Sequence, residues 1–336
     1  GNGGFGVEFA SVPQERPEVV LTGNEITGNG VSVSVPVSGL PDETNVLVPN
    51  ASAYVQVLGG TLSQARSLSV LGAGTADAVS TYRICGDVAV AREGALTVDS
   101  GVVAKFCPGT SVTVDGVLEV SGTATSPVVF TAEADGSAGF DFGGDPTALV
   151  PRGAWRGLRF NDSLFEDASS VRNAAVRFAG GGAPAIDLSG ADVRLENVEV
   201  SNSASRGIEI ANASPVVTGV QVWGAVGDGI FVTGASSSPE VTFNRVSSNG
   251  GDGLEFSGGA GGLATNNEVF SNRGFGLRSA GGPVDARQSW WGDFDGSGPQ
   301  QASGNPSGTG QTVSDGVVAV PFQTEAPLEL GYIDLR

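Results

Sequence analysis

SRGIEI (205–210), GDGIFV (227–232), GDGLEF (251–256) and GFGLRS (274–279) are four versions of one phrase. Their glycines, Gly207, Gly229, Gly253 and Gly276, recur about every 23 residues, a period in the range of repeat architectures. One repeat earlier, PAIDL puts Ala185 in the slot that precedes Gly207. A second track runs in parallel: ENVEV (196–200), TGVQV (218–222), FNRVSS (243–248) and NNEVFSN (266–272). The unit is a short strand, a polar turn, a glycine and another short strand, with no extended 3.6-residue apolar period that would call for helices. A propeller blade needs roughly 40 residues, and the Asn/Leu consensus of a leucine-rich repeat is missing. What remains is a parallel β-helix, in which a turn of about 20–25 residues winds around three short sheets and the turns stack into one core. Glycine suits the places where the chain turns sharply or approaches the coil above. Equivalent slots then lie ~4.8 Å apart along the rod.

The same reading extends toward the N-terminus. CGDVAVAREGALTVDSGVVAKFCPGTSVTVDGVLEVSGTATSPVVFTA (85–132) alternates apolar and polar residues between Gly, Asp and Pro turns. Cys85 and Cys107 are separated by one coil, so a disulfide between stacked neighbours is natural; two buried free thiols are the alternative. ALTVDSGVVAKF (95–106), VDGVLEVSGTATSPVVFTA (114–132), AWRGLRF (154–160) and SWWGDFDGSGP (289–299) carry a resemblance. This ladder is similar to that of bacterial and archaeal extracellular right-handed parallel β-helix repeat proteins, whose pattern runs LTIEPGVVVKF, GTLxAxGTAxxPIVFTS, WRGIxF and a late NWWGDPSGP. It covers about 82–299. It implies an all-β fold, a single right-handed parallel β-helix of the pectate-lyase-like kind, and a secreted or cell-surface setting. It says little about function, because the group includes surface proteins, adhesin modules and carbohydrate-active relatives.

The expected organisation has three parts. Residues 1–80 do not obviously repeat and are assigned to an N-terminal cap and first irregular coils, with a small separate β domain as the alternative. Residues 81–299 form the regular helix. Residues 300–336 hold a Gly/Ser/Asn/Gln loop and then VVAVPF (317–322) and PLELGYIDLR (327–336), a capping strand or one that pairs with another molecule. Methionine is absent, position 1 included, which reads as a chain freed of its leader or as an excised piece.

Charge narrows the partners. Seventeen Lys+Arg face 36 Asp+Glu, a formal net charge of -19, which argues against nucleic acid and against an anionic membrane surface. Lys105 is the only lysine; high acid with almost no lysine fits a salt-adapted protein, and equally an acidic extracellular one. No run approaches ~18 consecutive apolar residues, so no membrane span is expected.

Chemistry-bearing constellations are sparse. Histidine is absent, Lys105 sits in VVAKF where it fits an ordinary outward charge, and no catalytic set is assigned. In the phrases IDL, IEI, IFV, LEF and LRS the middle residue points outward when its neighbours point in. Asp187, Glu209, Phe231, Glu255 and Arg278 therefore form one ladder along a sheet face, either a glycan or partner surface or a solvated face. Asp293, Asp295 and Ser297 in DFDGSG alternate like the first half of a Ca²⁺ loop, but the twelfth position is Gly304 rather than glutamate. No cofactor is required, and Ca²⁺ is the one cation that segment would suit. Of Trp290 and Trp291, one is expected to face the core and the other the surface. The expected function is a non-enzymatic extracellular structural or surface protein that coats, adheres or assembles into filaments with itself, head-to-tail or laterally. The alternatives are a carbohydrate-binding module, or a polysaccharide lyase or glycoside hydrolase acting on an extracellular polysaccharide.

Overall fold

The computed structural model describes residues 3–9, 20–75, 78–162 and 168–326 and shows an all-β parallel solenoid with three faces. Successive coils pair in parallel, slot against slot. The first face is a nine-stranded sheet that runs from Gly60–Leu62 to Leu277–Ser279. The second carries strands such as Ala95–Asp99 and Val117–Ser121. The third is a path of eleven strands, from Phe5–Glu8 to Glu268–Phe270. Within a coil the chain visits first, second and third face in that order. Ser170–Arg177 and Arg194–Ser201 are long enough to serve both the second and the third.

Alternation explains the core. On the first face Leu158, Ile186, Ile208, Ile230, Leu254 and Leu277 are mutual neighbours in the ladder. All are buried. Each contributes roughly 1.5–3 kcal/mol of apolar burial, and no coil supplies this alone, because each side chain packs on the one above. The glycine track stands where the backbone of the next coil comes closest. A Cβ on Gly229 would lie 2.7 Å from the carbonyl oxygen of Gly253, and one on Gly253 would lie 2.7 Å from that of Gly276.

The bend between the second and third faces is a column of left-handed residues. Asn173, Asn197, Gly219, Phe243, Asn266 and Gln288 have φ between 47° and 65°. Asparagine tolerates this region better than most residues, while Phe243 adopts it because the stacked bend requires it.

Coils also occupy the N-terminal stretch. Phe5–Glu8 pairs with Val31–Val35, which pairs with Tyr54–Val57, which pairs with Thr81–Ile84. The registers Phe5↔Val31, Ser34↔Gln56 and Tyr54↔Thr81 advance by unequal steps, so uneven turns rather than a change of fold hid the period.

One insertion departs from the winding. Val128 pairs with Ala174, a step far longer than a regular coil, and the extra chain crosses the outside of the third face as a strap. The Phe140 N–H donates to Thr81 Oγ1 (3.0 Å), and the rings of Phe140 and Phe142 lie 5.2 and 4.8 Å from that of Tyr54. Glu133 pairs with Arg83. Lys105 is not the ordinary outward charge expected: it does point out of the third face, but the strap covers it completely. Its Nζ donates to the carbonyls of Asp135 (2.5 Å) and Phe140 (2.7 Å), with the Phe142 ring 5.6 Å away. The strap returns through Trp155, whose ring stacks on Phe106 at 4.0 Å.

At the far end Val284–Asp285 pairs with Val317–Val318, so VVAVPF does run along the last coil. PLELGYIDLR lies outside the described residues. Trp290 and Trp291 are both buried, against the expectation that one would face solvent. Trp290 is covered by Phe270 and Phe294, each 5.5 Å from it, and Phe294 takes the exposed position.

Candidate functional site

Asp187, Glu209, Phe231, Glu255 and Arg278 occupy one unbroken register on the outside of the first face. Arg159 extends the ladder one coil further back. Alternation with the buried column turns all of them outward, and Asp228 and Asp252 join them from the corners that lead into the face.

These charges answer one another. Arg159 stands 3.8 Å from Asp187. Arg206, at the preceding corner, donates to Glu209 (2.7 Å) and Asp228 (3.3 Å) and lies 3.6 Å above the Phe231 ring. Arg278 donates to Asp252 (2.5 Å) and Glu255 (2.8 Å). Burial raises the carboxyl of Asp187 above its usual range; Arg159 pulls against that shift and Glu209 adds to it. Burial likewise raises Glu255, with Arg278 opposing and Asp228 and Asp252 reinforcing.

The carboxylates of Asp228, Asp252 and Glu255 approach within 4.8 Å of one another, near enough to hold a divalent cation. Most of their oxygens already have partners. Asp228 accepts from the Asp252 N–H (2.8 Å), Asp252 accepts from the Phe275 N–H (2.8 Å), Arg206 takes the second oxygen of Asp228, and Arg278 takes the second oxygen of Asp252 and one of Glu255. Acid–base chemistry needs a group free to give up or take a proton. Here Asp187, Glu209 and Glu255 each face a guanidinium, a cation that keeps its charge at any working pH.

DFDGSG is a self-bonded turn. Buried Asp293 accepts the Gly298 N–H through Oδ2 (2.7 Å). Asp295 accepts the Ser297 N–H (3.0 Å) and the Thr309 hydroxyl (2.8 Å), and Ser297 Oγ lies 2.9 Å from Thr309 Oγ1. The loop thus spends Asp295 and Ser297 on its own closure, and Asp293 faces inward. Cys85 and Cys107 form a disulfide with a Cα separation of 4.8 Å, the spacing of adjacent coils.

Sequence reasoning missed two ladders of buried asparagine. Asn244 Nδ2 donates to Asn267 Oδ1 (3.1 Å) and to the carbonyl of Val217 (3.0 Å), while its own Oδ1 accepts the Val220 N–H (2.8 Å). Asn249 repeats this with Asn272 (2.9 Å), Val222 (3.2 Å) and Ala225 (3.1 Å). The signal was available: the members of each pair sit one repeat apart within the second track.

Residues 161–286 match the family model described as right handed beta helix region. The coils continue on both sides of that match, so the chain as described is a right-handed parallel β-helix. Neither the curated proteins nor the solved structures contain a match to it. Among the described residues no helix is long and apolar enough to cross a membrane.

Proposed function

We propose that this chain is a non-enzymatic extracellular structural protein, a stiff rod for surface coating, adhesion or self-assembly. The observation that carries the reading is the mutual neutralisation along the first face, where Arg159, Arg206 and Arg278 each hold the carboxylates beside them. Such a face resists non-specific pairing and offers no free acid–base couple. Eleven strands on the third face at ~4.8 Å per coil give a rod of about 50 Å. An unpaired sheet edge is a template for another strand, so head-to-tail association is the cheapest assembly for a stack of coils.

Negative-stain electron microscopy in molar salt, with and without Ca²⁺, tests this. The expected result is filaments or sheets with an axial repeat of one rod. Dispersed single rods would remove assembly, and release of product from an acidic or neutral glycan would replace the structural reading with an enzymatic one.

A further inference from the structure

LVPRG (149–153) lies on the returning limb of the strap. Among the described residues, Leu149, Val150, Pro151 and Arg152 form no backbone hydrogen bond, and Leu149 is 99% exposed. The whole run from Gly143 to Arg152 is exposed apart from half-buried Val150. Pro151 disposes Val150 toward the extended backbone that an endopeptidase binds as an added strand. Order resumes on the far side, where the Gly153 N–H donates to the Ala179 carbonyl (3.1 Å) and the Ala154 N–H to that of Phe178 (3.0 Å). Arg152 is exposed and, among the described residues, has no carboxylate within ion-pair distance, whereas nine other arginines do. No acid occurs from Pro146 to Asn161, so in a chain of net charge -19 this stretch is locally basic.

Other cations are withheld by the fold. Lys105 is buried. Arg92 is exposed, but it sits in a turn that the Gly94 N–H closes onto the Ala91 carbonyl (2.7 Å), and Glu93 follows it. Arg156 is held on both sides, its N–H by Thr110 (2.8 Å) and its carbonyl by Gly180 (3.2 Å), and the Arg273 N–H donates to Asn249 (3.0 Å). We infer that Arg152–Gly153 is a processing site for an arginine-specific endopeptidase, one whose acidic pocket takes the guanidinium. Water adds across the peptide bond and leaves a carboxylate on Arg152 and an ammonium on Gly153. The product is a two-chain rod, because ladders on all three faces cross the cut. Ser111–Val114 pairs with Gly157–Asn161, and Val117–Ser121 and Val128–Ala132 both pair with Ser170–Arg177. The strap is then tied at its root alone, through Glu133 with Arg83 and the carbonyls that hold Lys105. None of this depends on the rod assembling.

Trypsin in small amount, added to the folded protein and followed by mass spectrometry, is the test. The first cut is expected after Arg152, ahead of Lys105 and the other arginines, and the nicked protein should leave a gel-filtration column as one particle. Arg152→Gln should slow the first cleavage by about tenfold or more. Its melting temperature should not change, because the side chain is exposed and outside any ion pair. A first cut elsewhere overturns the proposal, as does cleavage of Arg152→Gln at the wild-type rate. A folded chain that resists trypsin while the denatured chain is digested overturns it too. Separation of 1–152 from 153–336 on the column would overturn the two-chain rod.

Discussion

Asn249 and Asn272 show how single residues hold this fold together. A coil corner exposes backbone groups that no strand pairs, and a buried amide can satisfy one above and one below. Asn249→Ala strands the Ala225 N–H, which the side chain of Asn249 now serves, and removes one of the donors to the Val222 carbonyl. A loss of about 1–3 kcal/mol in urea unfolding is expected; a loss under ~0.5 kcal/mol would mean the ladder contributes packing alone. Asp187 makes the opposite prediction. Its carboxyl is held above the usual range mainly by burial, so the folded chain binds that proton more tightly than the unfolded chain. Its favourable contribution is complete below the unfolded value of about 3.9 and is lost as pH rises through the folded value. Asp187→Asn should therefore stabilise the protein at pH 7. The gain should vanish below about pH 3.9, where wild type is neutral too. Urea midpoints measured from pH 3 to 7 would check both sign and window.

The strap is an element that does not wind. It lies on the third face through the aromatic contacts of Phe140 and Phe142 and the hydrogen bonds of Lys105, which replace the repeated ladder found elsewhere. Burial lowers the Lys105 pKa, and the negative charges of Asp135, Asp141 and Glu133 only partly restore it. Phe140→Ala with Phe142→Ala should open this element alone. Hydrogen exchange is expected to lose protection at the Phe140 amide while Val103–Phe106 and Val128–Ala132 beneath stay protected. Loss of protection across those strands too would make the strap part of the solenoid's cooperative unit.

For the whole rod, a stack of coils distributes stability, and no single crosslink should decide folding. Closing a 22-residue loop, the Cys85–Cys107 disulfide is expected to add about 3 kcal/mol. Reduction should lower the unfolding midpoint accordingly and leave the circular dichroism of the rod intact at 25 °C; collapse on reduction would show that this coil nucleates the others. Charge acts at the same scale. A net charge of -19 repels itself, and 1 M salt shortens the screening length to about 3 Å. The melting temperature should rise from dilute buffer to molar salt, and a flat response would count against the salt-adapted reading.

The period of the glycine phrase was enough to specify the solenoid, its outward ladder and the alignment of Asp187 through Arg278. Stacking is a local rule: a residue one coil ahead is the neighbour, so spacing in the chain is spacing in space. Cys85 and Cys107 follow from the same rule. Where coils are uneven, between Phe5 and Tyr82, the rule holds but the period cannot be read. Where chain leaves the winding it fails altogether. Nothing in VVAKF announces that Lys105 lies under a strap 30 residues ahead of it, or that Arg152 ends opposite Arg273. Those neighbours are set by how an insertion of irregular length folds back over a finished surface, and that is decided by packing and hydrogen bonding in three dimensions. The pairing of Arg206 and Arg278 with their acids is of the same kind, because it depends on which corner side chains can reach a ladder whose register the sequence had already determined.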